Sequence, residues 1–140
     1  MSIIIVDLDG CVSDDKWRRG YLRPPFYEDY HMLAPWDEPQ NLDIFAGGHA
    51  VAIFTARPSA YRLPTKEWLA RRGIKWNWLF MRGLGNVDPS PLLKQKMFVS
   101  FARNRRISDI VAIYDDRADV LDALRQYGVP CYQRDCNEKR

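Results

Sequence analysis

The stretch Ile3-Ile4-Ile5-Val6-Asp7-Leu8-Asp9-Gly10 decides how the rest of the chain is read. Four successive β-branched residues without polar alternation read as a strand buried on both faces, the habit of a parallel sheet covered by helices. The strand stops at a carboxylate. A second acid follows two residues later, a spacing that in extended chain sends Asp7 and Asp9 toward the same side, and Asp9-Gly10 marks a turn.

Outward from this strand, apolar runs and helical stripes alternate. Ala50 to Phe54 reads as a second buried strand; Pro64 then opens a helix with Trp68 and Leu69 inward and Gly73 at its end. Trp76 to Met81 is a third strand. Leu93, Met97 and Phe101 recur at helical spacing between about Pro91 and Asn104, and Val111 to Tyr114 follows as a fourth strand. Val120, Leu124 and Tyr127 mark a last helix ended by Gly128, and Pro130 to Gln133 a short final strand. Repeated β-then-α predicts an α/β fold: a parallel sheet with right-handed crossovers and its ligand site outside the carboxyl ends of the strands. Two segments read differently. Ser13 to Pro35, with Pro24-Pro25, many aromatics and many charges, reads as a lid or flap outside the core. Asp37-Glu38-Pro39 reads as a helix start with an acid at the N-cap, the helix running to Gly47-Gly48.

The 140 residues, 46% hydrophobic and 28% charged, suit one domain spanning 1–140 with one core. Lys plus Arg at 21 against Asp plus Glu at 18 gives 21 − 18 = +3, which permits an anionic ligand without demanding a nucleic-acid coat. No run approaches the ~18 apolar residues that a bilayer span requires. Cys11, Cys131 and Cys136 include no Cys-x-x-Cys pair, so a reducing, cytoplasmic setting is expected. His31 and His49 are too far apart to suggest a metal pair, and Gly83-Leu84-Gly85 lacks the P-loop pattern.

The strand ends carry the chemistry. The first delivers Asp7 and Asp9, the second Thr55 and then Arg57, the fourth Asp115 and Asp116, and the third helix carries Lys94. Any one of these acids alone is more often a turn former or a cap, and Thr55 or Lys94 alone a cap or a solvated charge. Four acids at one edge repel one another severely unless a divalent cation sits among them. Hard carboxylate oxygens select Mg²⁺, which brings phosphate oxygens with it. Arg57, Arg82 and Arg117 suit a bidentate grip on a nucleotide backbone, or a surface or capping role. Trp17-Arg18-Arg19, Arg23 and the Tyr21, Phe26, Tyr27 cluster either stack bases and attract phosphates or anchor the flap; Trp68, Trp76 and Trp78 are assigned to packing.

Asp7-Leu8-Asp9-Gly10, Thr55, Lys94 and Asp115-Asp116, in that order and on those elements, resemble the haloacid dehalogenase-like (HAD) phosphohydrolases across nearly the whole chain. Thr55-Ala56-Arg57, Leu92-Leu93-Lys94 with Met97-Phe98, Ile113-Tyr114-Asp115-Asp116-Arg117 and Tyr127-Gly128-Val129-Pro130-Cys131-Tyr132-Gln133 resemble, within that superfamily, the 3′-phosphatase domain of phage-type polynucleotide kinase-phosphatases. The resemblance implies a Rossmannoid three-layer sandwich with a minimal cap at about 13–35. It implies Asp7 as the nucleophile that forms an aspartyl-phosphate, and Asp9 as general acid and then base. Thr55 would hold a phosphoryl oxygen, and Lys94 rather than Lys96 would offset charge. Mg²⁺ would bind Asp7, the backbone carbonyl of Asp9, and Asp115, with Asp116 favoured over Asp119 as the second acid. Cys11 stands where Thr is usual and should weaken local support without loss of activity.

The expected activity is a Mg²⁺-dependent phosphomonoesterase acting on nucleic-acid 3′ ends or nucleotides, with no kinase half, no membrane and no obligate protein partner. A small-molecule nucleotidase or sugar phosphatase shares the same chemistry. A phospho-acceptor receiver or a catalytically silent nucleic-acid-binding module is the alternative of another class. Receivers carry their phosphorylated Asp on a middle strand, whereas here the paired acids begin at residue 7, and Asp9 argues for turnover.

Overall fold

The elements run β1 (Ile3–Val6), β2 (Ser13–Asp14), α1 (Tyr27–Met32), β3 (Glu38–Pro39), β4 (Ala50–Pro58), α2 (Arg62–Arg71), β5 (Trp78–Arg82), α3 (Ser90–Ala102), β6 (Ile110–Asp115), α4 (Ala118–Leu124) and β7 (Cys131–Gln133). They are seen in a computed structural model that describes residues 1–23 and 25–136; Pro24, one of the two flap prolines, lies outside them. β1 is the middle strand of a five-stranded sheet of order β5-β4-β1-β6-β7, every pairing parallel. Its four side chains divide between the two faces, as the unalternated apolar run requires. Ile3 and Ile5 pack with Phe54, Leu93, Phe98, Phe101, Val120 and Leu124 of the α3/α4 side, while Ile4 and Val6 pack with Ile53, Trp68, Leu69 and Leu79 on the α2 side. The result is the three-layer α/β sandwich expected. The five strands of this sheet point the same way, so the carboxyl ends of β1, β4 and β6 meet at one rim. Among the described residues no helix is long and apolar enough to cross a membrane.

The helix ends follow local chemistry. Gly73 lies one residue past the C-cap of α2 at φ +71°, a left-handed conformation that costs glycine least. Trp68 is fully buried, and Trp76 and Trp78 pack at the core margin, in keeping with the structural assignment.

Two expectations are corrected. The segment from Ser13 to Pro35 is not a flap lying outside the core. It contains β2, a short 3-10 turn at Lys16–Tyr21 and α1, and it buries Ser13, Asp15, Arg18, Tyr30, His31 and Ala34. Its charges looked solvated in sequence because their partners lie far along the chain. Nor does Asp37 cap a helix: Glu38–Pro39 pairs antiparallel with Ser13–Asp14, and only a 3-10 turn, Leu42–Gly47, follows. The Asp37 carboxylate accepts instead from Ser13 Oγ, Trp17 Nε1 and the Arg18 guanidinium. Four tertiary donors outcompete the single backbone amide that a cap would offer.

Candidate active site

After β1 the chain wraps tightly. The amides of Cys11, Val12 and Ser13 all donate to the Leu8 carbonyl at 2.9–3.0 Å, a turn that Gly10 permits at φ +84°. Cys11 faces inward from this turn and is fully buried, behaving as a small apolar side chain. A Cβ at Gly10 would run into the Asp116 carboxylate, so both the dihedral angle and the close approach of the two site loops favour glycine. Gly10→Ala is therefore expected to cost about 1–2 kcal/mol for the left-handed backbone alone and to displace Asp116. Urea midpoints and phosphatase assays should both fall; unaltered activity would show that Asp116 can move freely.

Lys94 organises the acids. Its ammonium, buried on α3, donates to Asp7 Oδ1 at 2.7 Å and to Asp115 Oδ2 at 2.6 Å. Asp7, Asp115 and Asp116 each present a carboxylate oxygen, all within 4.8 Å of one another. Burial first, and the neighbouring carboxylates next, push the carboxyls of both Asp7 and Asp116 up, while Asp115 and Asp7 hold the Lys94 ammonium firmly protonated despite its burial. One ammonium among three acids leaves the cluster short of positive charge. A hard oxygen-liganded cation fits that donor set. Lys96 lies outside the cluster, partly exposed and paired with Asp88 at 3.0 Å. Asp119 is likewise outside, exposed and held by Arg117 at 2.7 Å, so of these two acids Asp116 is the one that joins the cluster.

Asp9 has a different environment from Asp7. Arg57 Nη2 donates to it at 2.7 Å and Arg18 Nη2 at 2.6 Å. Burial alone would raise its carboxyl, but the two guanidinium groups outweigh that and hold it well below the usual carboxylate range. Thr55 is buried beneath the cleft, its Oγ1 accepting from the Arg57 amide at 3.1 Å. The remaining donors of Arg57 go to Thr65 and Ser13, so this residue reaches Asp9 rather than open solvent. Arg82 is turned away: it donates to the Ala56 and Asp88 carbonyls and to Asn86, tying the loop after β5 to β4. Arg117 does line the cleft, with its guanidinium paired to Asp119.

The cleft over these groups has a volume of about 350 Å³ and is walled by Asp7, Asp9, Lys94, Asp116 and Arg117 from the sheet side and by Arg19, Tyr27, Tyr30 and His31 from the insert. A larger groove of about 460 Å³ lies between Trp17, Leu33 and Trp36. Among the described residues its charged lining is Asp14 and Glu38, which would repel a phosphate, so it does not compete as the site.

Three contributors escaped the sequence reading. Arg18 was grouped with other flap cations, yet it is wholly buried and joins Asp9 to Asp37. Asp37 holds Arg18 in place. His31 sits in the cleft wall with neither ring nitrogen hydrogen-bonded among the described residues. No local signal separates Arg18 from Arg19; the distinction exists only once Asp37 is brought near.

Burial, together with the cationic Arg57, Arg18 and Arg82 and against the pull of Asp9, lowers His31 from its ordinary 6.5 to about 4. Below pH ~6.5 the unfolded chain then binds a proton that the folded chain refuses, so stability falls as pH drops from there to about 4, by on the order of 2 kcal/mol. Denaturation midpoints at pH 7.5 and pH 5 should show wild type losing more than His31→Phe. Equal losses in both proteins would mean that His31 titrates normally.

A parallel sheet whose first strand ends in Asp-x-Asp, with Thr, Lys and paired Asp on the succeeding elements, defines a HAD-type phosphatase. The putative phosphatase of Clostridium difficile matches the fold at TM-score 0.65 and 14% identity, over 94% of this chain and 84% of that one. A putative beta-phosphoglucomutase from Thermotoga maritima does so at TM-score 0.61, 14% identity and 100% and 89% coverage. Residues 1–138 match the family described as the polynucleotide kinase PNKP phosphatase domain, and the chain belongs to it. A chain in the structure of a Pnkp1/Rnl/Hen1 RNA repair complex is similar at TM-score 0.78 and 26% identity, over 94% of this chain but 42% of that one; in a second structure of the Pnkp1/Rnl/Hen1 complex the figures are 0.78, 25%, 99% and 46%. The chain thus spans less than half the length of these relatives. No curated protein matches it in sequence.

Proposed function

We propose that this phosphatase is a Mg²⁺-dependent phosphomonoesterase that works through an aspartyl-phosphate on Asp7 and removes 3′-phosphate from nucleic-acid ends. The observation that carries the reading is the Lys94 ammonium bridging Asp7 and Asp115 beside Asp116, at the strand ends of a chain in the polynucleotide kinase phosphatase-domain family. The likeness to chains of an RNA repair complex supports nucleic-acid ends as the substrate class.

Asp7, Asp115 and Asp116, with the Asp9 carbonyl, would hold Mg²⁺, which when bound neutralises charge between the carboxylates and the phosphate. Asp7 attacks phosphorus, a P–O bond forms, and the bond to the leaving oxygen breaks with a proton delivered by Asp9. Because Arg57 and Arg18 hold Asp9 as a carboxylate, that proton is drawn from the monoanionic form of the ester, whose second ionisation lies near pH 6. Asp9 then accepts a proton from the water that attacks the aspartyl-phosphate, the half of the cycle its guanidinium partners favour. Lys94 keeps Asp7 aimed into the cleft and offsets charge.

The test compares kcat/KM for 3′-phosphorylated oligonucleotides, 3′- and 5′-mononucleotides and sugar phosphates. Oligonucleotides should lead by at least tenfold, about 1.4 kcal/mol of transition-state discrimination. The reverse order would select the small-molecule nucleotidase or sugar phosphatase. Chelator should abolish turnover and added Mg²⁺ restore it; full activity in chelator would refute the metal requirement.

A further inference from the structure

Arg19 belongs to the 3-10 turn Lys16–Tyr21 and lines the cleft from the insert side. Its Nε and Nη2 both approach Asp15 Oδ1 at 2.7 Å, and the second Asp15 oxygen accepts from the Tyr30 hydroxyl at 2.5 Å. The Asp15 side chain is 5% exposed, whereas that of Arg19 is 33% exposed. A guanidinium fastened along one edge to a buried carboxylate is held in one orientation, and its remaining donors are preorganised for an anion. Nη2 has a further, long contact with Cys136 Sγ at 4.0 Å, and Nη1 makes no hydrogen bond among the described residues.

Gly10 shows where the guanidinium lies. A Cβ there would meet the Asp116 carboxylate on one side and Arg19 Nη2, at 3.1 Å, on another, so Arg19 borders the acid cluster. Even so, Arg19 forms no ion pair with Asp116 among the described residues, because Asp15 draws it back. The other cations of the cleft are committed. Lys94 bridges Asp7 and Asp115, Arg57 and Arg18 serve Asp9, and Arg117 gives Nε and Nη2 to the half-exposed Asp119. Arg19 is thus a positive group with an unfilled donor beside the acids. A phosphoryl group set against Asp7 needs such a donor on its outer oxygens, since the carboxylates it approaches repel it.

We infer that Arg19 hydrogen-bonds a non-bridging oxygen of the phosphoryl group presented to Asp7, with Asp15 and Tyr30 as the residues that position it. The inference rests on Asp7 as the attacking group, as proposed above, and adds to it a phosphate-binding cation from the insert. It is indifferent to the leaving group.

The test uses the full chain at saturating Mg²⁺ with an aryl phosphate, a 3′-phosphorylated oligonucleotide and, as competitor, inorganic phosphate. Arg19→Ala should raise KM for both substrates and the inhibition constant of phosphate by about tenfold or more, the weight of a charge-assisted hydrogen bond, with kcat changed less. Arg19→Lys, which keeps the charge and loses the fork, should recover part of that loss. Arg19→Ala also leaves buried Asp15 with the neutral Tyr30, so Tm should fall; adding Asp15→Asn removes the stranded charge and should restore Tm while phosphate still binds weakly. Recovery of both by the double variant would make the pair structural and overturn the inference. So would unaltered phosphate inhibition, or a loss confined to the oligonucleotide, which would put Arg19 on another part of the substrate. If wild type cleaves the aryl phosphate and not the oligonucleotide, the 3′-end reading fails and the aryl phosphate alone decides the role of Arg19. If wild type cleaves neither, calorimetric titration of inorganic phosphate into wild type and the double variant decides it: equal affinities, or binding to neither, overturn the inference.

Discussion

Asp7→Asn should abolish turnover, by at least about three powers of ten, and leave the protein folded. The amide is nearly the same size as the carboxylate and its oxygen can still accept from Lys94, but its nitrogen cannot form the acyl phosphate on which the proposed two-step reaction depends. The fold should tolerate the change because the carboxylate is poorly placed electrostatically. Burial and then Asp115 push its carboxyl up, so a neutral group there relieves repulsion at neutral pH. Lys94 retains Asp115 as its counter-charge at 2.6 Å. Steady-state assay with an aryl phosphate and thermal denaturation check both halves. Activity within tenfold of wild type would remove Asp7 from the role of nucleophile, and a fall in Tm beyond about 5 °C, more than ~1 kcal/mol, would show that its charge is structural.

Arg18→Ala should be the most destabilising single substitution outside the apolar core. The side chain is fully buried, donates to Asp37 at 2.6 and 2.8 Å, to Asp9 at 2.6 Å and to the Tyr30 carbonyl at 2.8 Å, and lies 4.2 Å from the Tyr30 ring centre. Its removal leaves the buried Asp37 carboxylate with only the neutral donors Ser13 and Trp17 and no cation, and breaking one partner from a buried ion pair costs about 3–5 kcal/mol. Against a typical total of about 5–15 kcal/mol, that approaches unfolding. Arg18→Lys should recover little, since a single ammonium cannot serve Asp37 through two edges and reach Asp9 and a carbonyl as well. Arg18→Met with Asp37→Asn should restore much of the urea midpoint and little of the activity, because Asp9 still lacks one of its two guanidinium partners. A single Arg18→Ala variant within ~1 kcal/mol of wild type would contradict the pairing.

These two residues differ in how visible they are in the sequence. Asp7 is conspicuous: it ends an apolar run, and a strand end in a parallel sheet is where ligands bind, so position and chemistry coincide within eight residues. The same holds for Asp115 after β6 and for Lys94, which lies on the same face of α3 as Phe98 and Phe101 one and two turns on. Arg57 was legible as a site residue, although its target turned out to be Asp9. Arg82 was legible only as a cation after a strand, and its carbonyl partners belong to the neighbouring loop.

The insert shows the opposite case. Asp15, Arg18 and Arg19 are charges of the sort that ordinarily stay in water, so composition placed them outside, and Asp37 read as a helix cap. In the fold, Asp15 accepts from Tyr30 and Arg19, and Asp37 from Arg18, at separations of 4 to 19 residues. Pairing removes most of the cost of taking a charge out of water, and no pattern in a short window reveals which charges are paired.

Apolar periodicity and the placement of acids after strands were enough to specify the sheet, its covering helices and the rim where the acids gather, because those signals depend on neighbours one to eight residues away. The closed roof, with Arg18 locked between two carboxylates and His31 wedged among tyrosines, was decided only by the folded chain. There, Arg18 meets carboxylates 9 and 19 residues away, and which groups meet is a property of three-dimensional proximity.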